Sequence, residues 1–254
     1  CYSKVTNGRI FAPQVEYDYA LAMWPGVVFF FLFAWIELVY PYSSLPRTIA
    51  LLTIIYSSIT WTGMYLVGKH IWLQYIDPFS IAFRFLSKFA PTEIRCRNID
   101  VCKECPTICD YTMNICTNCH YCFSKSNPKD REINLRPPGV GLLASENIST
   151  SNMAFVILIL STVTFDGLTS TPLWGSIQDS MFISMSAVFG NNALTGIESL
   201  GLILFPGIFF SIYLAFCKII SKTSIKTMNA YKIGKLFVYS LIPIALAYHL
   251  SHYL

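Results

Sequence analysis

The chain has 254 residues, of which 54% are hydrophobic and only 13% charged, against about 25% charged in an average soluble domain. Mean hydropathy is +0.51, so the composition belongs to the membrane class. The net charge of +4 is spread along the chain, which excludes a nucleic-acid partner, since that needs a clustered basic stripe. The expected fold is an all-α integral membrane protein of about five transmembrane helices. One or two interfacial amphipathic helices and a small Cys-rich extramembrane module complete it.

Residues 1–18 are polar and belong outside the bilayer. The chain begins at Cys1 without a Met and stops at Leu254 inside an apolar run. It is therefore expected to be part of a longer protein; a processed N-terminus, such as a lipidated Cys1, is the alternative. Residues 19–40 form the first expected span, because a crossing takes about 20 residues. Pro25-Gly26 suggests a kink near its start, and Glu37 is the only ionised residue in it. The short turn at 41–47 makes the second span, about 48–68, antiparallel to the first.

Asp77-Pro78 reads as a helix start, an N-cap followed by proline at the first helical position. In the helix it opens, Phe79, Ala82, Phe83, Leu86 and Ala90 share one face; Ser80, Arg84, Ser87 and Lys88 share the other. A basic amphipathic helix next to a span lies in the interface plane or packs on the rest of the protein. The expected segments are thus 1–18, a hairpin with its amphipathic helix over 19–90, a Cys-rich module over 91–151, and a three-span region over 152–254.

The third span covers about 152–170 and carries Asp166. Residues 171–192 are amphipathic and short, with Ile177, Met181, Phe182, Met185, Val188 and Phe189 in one stripe. A non-spanning helix is the favoured reading. The fourth span, about 197–217, holds Pro206-Gly207 midway. Lys218, Lys222, Lys226, Lys232 and Lys235 follow without an intervening acid, which marks the cytoplasmic side. The last span, about 234–254, carries His249 and His252. With 171–192 not crossing, the module and Cys1 fall on the cytoplasmic side. With 171–192 crossing, the module lies outside and the sequon Asn147-Ile148-Ser149 becomes usable. Either way the expected location is the cell membrane, multi-pass.

Seven of nine cysteines lie in the module: Cys96, Cys102, Cys105, Cys109, Cys116, Cys119 and Cys122. Cys102-x2-Cys105 and Cys119-x2-Cys122 are two knuckles able to give four thiolates to one tetrahedral zinc. Cys96, Cys109, Cys116 and His120 are candidates for a second site. Disulfides fit an oxidising compartment. Cys116, Cys119 and Cys122 also match three ligands of a four-iron cluster, but Ser126 stands where the fourth cysteine belongs. All three readings answer one need: a loop with few apolar residues cannot build a core without cross-links. Cys217 reads as a packed apolar residue.

Ionisable groups inside a membrane usually face the bundle interior with a partner. Glu37, Asp166, His249 and His252 qualify; helix parity sets Glu37 and Asp166 in the leaflet opposite the module, and His249 and His252 join them where 171–192 does not cross. They suit zinc, copper or iron, or a proton or ion relay; in the opposing reading they are scattered interfacial groups. The segments TFDGLTSTPLW (164–174), NLRPPGVGLL (134–143) and PIALAYHLSHYL (243–254) resemble parts of large, uncharacterised multi-span membrane proteins, some labelled fenitrothion hydrolase. The resemblance covers most of the chain and implies further sequence after residue 254. The label implies organophosphate ester hydrolysis, without a serine triad or HExxH in this chain to carry it. Three classes follow from the residues: a metalloprotein or metalloenzyme, a transporter or channel component, and an accessory subunit whose module docks a partner. The leading reading is a membrane subunit with a structural zinc module, with the bilayer and other membrane subunits as partners.

Overall fold

A computed structural model describes residues 14–103, 105, 111–112, 115–143, 148–223 and 228–253. The chain divides into two compact units. Unit 1 comprises residues 1–21 and 57–147; unit 2 comprises 22–56 and 148–254. Among the described residues, four stretches are long and apolar enough to cross a membrane: Pro46–Val67, Thr150–Thr169, Pro172–Thr223 and Ala230–Tyr248.

Helix α1 spans Trp24–Leu38 and is apolar but only 15 residues long. That is about 22 Å at 1.5 Å per residue, short of a hydrocarbon core of about 30 Å. The expectation of a kink at Pro25 is corrected here. Pro25 lies at the helix start, where its missing N–H and fixed φ cost nothing. Residues 19–21 form a 3-10 turn instead, and Ala22 takes a left-handed φ of 43°. Helix α2 spans Pro46–Val67, and only Thr60 and Gly63 in it are buried. Its first half belongs to unit 2 and its second half to unit 1.

Unit 2 is built around helix α6 (Thr150–Thr169), which is buried on nearly all sides, as an apolar helix at the centre of a bundle should be. Ser149 caps it by accepting from the Asn152 N–H. The next helices are α7 (Pro172–Phe189), α8 (Ala193–Thr223), α9 (Ala230–Phe237) and α10 (Ile242–Tyr253). Helix α1 runs parallel to α6. The Met23 N–H donates to Ser151 Oγ at 3.0 Å, Phe30 meets Phe155 at 5.2 Å, and Val39 joins the cluster around Phe165. Most of α8 runs antiparallel to α6. Gly201 lies against Phe165, whereas Cys217 and Met153 both border Gly234. The α9–α10 stretch returns parallel to α6, since Tyr231 meets Thr150 and Tyr248 meets Gly167.

Helix α7 starts where α6 ends. Thr171 caps it by accepting from the Trp174 N–H, and Gly190 ends it at a φ of 55°. Trp174, Phe165, Ile197 and Leu202 form a buried cluster with Val39. Of the expected stripe, Ile177, Met181 and Met185 pack on that cluster, while Phe182, Val188 and Phe189 are exposed. Pro206 lies inside α8, which continues through it. Pro243 opens the last helix after a 3-10 turn at Val238–Leu241.

Unit 1 holds what pure helix reading misses, a four-stranded antiparallel sheet in the order β2-β3-β1-β4. Its strands are β1 (Thr92–Cys96), β2 (Tyr111–Thr112), β3 (Ile115–Thr117) and β4 (Arg131–Leu135). Short helices α4 (Ile99–Lys103) and α5 (His120–Lys125) connect them. The amphipathic helix α3 spans Pro78–Ser87 and starts as expected, with Asp77 Oδ2 accepting from the Ser80 N–H at 2.8 Å. It buries Pro78, Ile81 and Phe85, so it packs within its unit, and it leaves Phe83 exposed.

Gly201 is a tight approach between buried rings in the bundle: a Cβ there would stand 2.5 Å from the Trp174 ring and 2.8 Å from Phe165. Both rings are buried and cannot yield. Gly201→Ala should destabilise the detergent-solubilised protein by about 1–3 kcal/mol through overpacking, seen as a lower thermal unfolding midpoint. Gly207→Ala, with open space at its Cβ, should not show that drop.

Candidate metal centre

The sheet brings the cysteines together. β1 and β3 pair so that Cys96 stands opposite Cys116, and opposite residues on one face have side chains about 5 Å apart. Between β3 and α5, Asn118 takes a left-handed φ of 55°, a conformation asparagine tolerates better than most residues. Its N–H donates to the Ile94 carbonyl at 2.8 Å, and its side-chain oxygen accepts from the Ile94 N–H at 3.3 Å. The turn is thereby pinned to β1, with Cys116 before it and Cys119 after it. Helix α5 then carries Cys122 inward.

Cys96, Cys116 and Cys122 are almost fully buried, and Val101, Cys102, Cys105, Cys119 and Tyr121 pack against them. Two sets of sulfurs lie mutually within 4.8 Å: Cys102, Cys116 and Cys122, and Cys105, Cys119 and Cys122. The sulfurs of Cys105 and Cys119 are 3.8 Å apart. Four sulfurs at zinc–thiolate bond lengths of about 2.3 Å would stand about 3.8 Å from one another, so this edge already fits a metal tetrahedron. The thiols of Cys96 and Cys102 both donate to the Asn98 carbonyl, at 3.7 and 3.6 Å.

Cys102 and Cys105 fall in different sulfur sets, because α4 ends between them at Lys103. Cys116, assigned from sequence to a second site, stands beside Cys102 in the first. Cys109 and Cys1 lie outside the described residues. The seven cysteines among the described residues are thiols rather than disulfides. Ser126, at the position of a fourth cluster cysteine, is buried; its hydroxyl donates to the Phe123 carbonyl at 3.2 Å. Cys217 is buried beside Tyr213 and Gly234, as a packed residue should be.

The Cys119 thiol is held well below the ordinary cysteine range. Its hydrogen bond with Cys116 is the main cause; burial opposes it, and contacts from Cys122 and Cys105 reinforce it. A thiolate is the form that binds metal. His70, which the sequence reading passed over, is half-buried, meets the Tyr121 ring edge-on at 5.2 Å and interacts with Cys119. Burial first, and Lys69 second, lower its pKa, which keeps the imidazole neutral near pH 7.

Glu37, Asp166, His249 and His252 sit on helix ends that gather at one end of unit 2, where α1, α6 and α10 finish together. Glu37 is exposed and Asp166 half-buried; the side chains of the two histidines lie outside the described residues. Among the described residues no three ligating atoms converge there. The same end holds a carboxylate that the sequence reading did not single out: Glu198 accepts from Gln178 Nε2 at 3.2 Å. An acid one residue into an expected span was the available signal. Nearby, Trp35 Nε1 donates to Ser199 Oγ at 3.0 Å. No protein-family model, curated protein or solved structure matches the chain.

The module is tied together by Glu93, which is nearly buried and pairs with Arg95 and, at 2.7 Å, with the equally buried Arg136. Arg136 also donates to the Ala90 carbonyl at 3.2 Å, linking β4 to the end of α3. Burial alone would raise the Glu93 pKa, but its hydrogen bonds and charges from Arg95 and Arg136 outweigh it and lower it. A depressed carboxyl stabilises the fold above its unfolded pKa of about 4.3, and the contribution is lost as pH falls through the folded value. Arg136→Gln should cost about 3 kcal/mol at neutral pH. The gap between variant and wild type, followed by chemical unfolding, should narrow below about pH 4 as Glu93 protonates.

Proposed function

We propose that this protein is a multi-pass membrane subunit whose extramembrane module holds zinc through cysteine thiolates. The observation that carries this reading is the pair of sulfur sets within 4.8 Å of one another, meeting at buried Cys122. Borderline zinc accepts four thiolates in a tetrahedron and has no redox demand. Cys102, Cys105, Cys116, Cys119 and Cys122 would hold it, with Cys96 behind them. Bound zinc supplies cross-links to a module too polar to build its own core.

The direction of the helices in unit 2 supports a cytoplasmic module. α6 begins at the end where α8 finishes, and Lys218, Lys222, Lys232 and Lys235 cluster around that end. The module precedes α6 in the chain. α7 leaves from the far end of α6, and α8 starts its return there, so α7 does not change the count of crossings. The side facing the lysines is the reducing cytoplasm, where thiolates stay available to a metal.

Membership of a larger assembly is supported by the module's outer edge. β4 is an edge strand, and Ile133 and Leu135 on it are 70% and 85% exposed. An apolar, unpaired edge on a water-facing module is where a protein partner adds on. Purified in detergent, the protein should contain zinc, and chelation should release it together with newly reactive thiols. Iron with acid-labile sulfide, or no metal together with thiols that react only after reduction, would overturn the zinc reading. In cells treated with a permeant chelator, a membrane-impermeant maleimide should leave Cys102 and Cys105 unlabelled until the membrane is opened.

A further inference from the structure

A single tetrahedral ion takes four ligands, yet five sulfurs converge in two sets that share one atom. If one ion occupies the set of Cys102, Cys116 and Cys122, the sulfurs of Cys105 and Cys119 remain within 4.8 Å of the same Cys122. They are also 3.8 Å from each other, a separation suited to a second ion. From this geometry we infer that the module holds two divalent ions bridged by the Cys122 thiolate, an inference that rests on the metal-binding reading above.

The first ion draws its fourth ligand from Cys96. That residue stands opposite Cys116 in the sheet and shares the Asn98 carbonyl with Cys102. The second ion keeps Cys105, Cys119 and Cys122 and leaves one position for a water or an imidazole. Charge argues the same way. Cys96, Cys116 and Cys122 are nearly sealed from solvent, at 1%, 1% and 0% exposure, and buried thiolates without enough positive charge are costly. Two dications offset most of the charge of six thiolates; one leaves a large excess in a dry site. Cys122 is the most buried of the six, as a bridging ligand with no open side should be. Each thiol that binds gives up its proton to solvent, so filling the site releases acid.

Cobalt(II) titration of the metal-free full chain in detergent, under argon, tests this without any variant. Thiolate-to-cobalt absorption should grow up to about two equivalents per chain. The high-spin electron paramagnetic resonance signal should rise over the first equivalent and fall over the second, because a shared thiolate couples the two spins. A signal that rises in proportion through both equivalents means separate sites and overturns the bridge. Saturation of absorption and resonance together at one equivalent overturns the second ion while leaving the zinc module standing. Absence of thiolate–cobalt absorption altogether overturns the module's metal binding itself. Zinc analysis of Cys102→Ser and Cys105→Ser should then show each losing about half the metal, whereas Cys122→Ser loses nearly all of it.

Discussion

The arrangement of unit 1 depends on burying sulfur where a soluble domain would bury hydrocarbon. The described part of residues 91–143 offers little apolar core. Cys96, Cys116 and Cys122 take the central positions and lie deeper than any aliphatic side chain in that stretch. Buried cysteine by itself packs as a small hydrophobe, which is too little to hold four short strands and two single-turn helices. The sheet, the Asn118 turn and α5 make sense as a frame that aims sulfurs at shared points. The Glu93–Arg136 pair acts at the opposite end of β1 and β4, fixing the strands to the end of α3. The two devices divide the work: an ion pair fixes the base of the sheet, and buried cysteines fill its tip.

Unit 2 follows a different logic, with one helix at its centre. α6 is apolar all round, and its neighbours are set by small residues and rings. Gly201 admits Trp174 and Phe165, Gly234 admits Met153 and Tyr213, and Gly167 admits the hydroxyl end of Tyr248. Close helix approach through small residues is how apolar helices associate when lipid offers no hydrophobic penalty. The two units therefore use opposite means, clustered sulfur where apolar surface is scarce and shape fitting where it is abundant.

The sequence made much of this legible for identifiable reasons. Asp77-Pro78, Thr171-Pro172 and Gly190 act as helix punctuation, and each does so in the structure because capping is local chemistry. The spans at 48–68 and 152–170 needed only length and hydropathy. Pro25 misled because a proline near the start of an apolar run can kink a helix or begin it. The left-handed Ala22 just upstream, which decides between these, leaves no trace in composition. The strands of the module were illegible because they are only two to five residues long, so no alternation can build up. At the candidate metal centre, cysteine spacing puts Cys102 and Cys105 on one ion, whereas their sulfurs fall in different sets. The x2 spacing implies that both sulfurs of a knuckle face one ion, and that holds only if the turn continues; the end of α4 at Lys103 separates Cys102 from Cys105.

The cysteine cluster and the carboxylates belong to different units. The sulfurs lie in unit 1 and precede α6 in the chain, whereas Glu37, Asp166 and Glu198 lie in unit 2, where α6 ends. Within unit 1 the sulfurs stand where hydrocarbon is missing, and Cys96, Cys116 and Cys122 are its most deeply buried cysteines among the described residues. On the zinc reading proposed above, an ion held by them would crosslink a frame with too little apolar surface to hold itself.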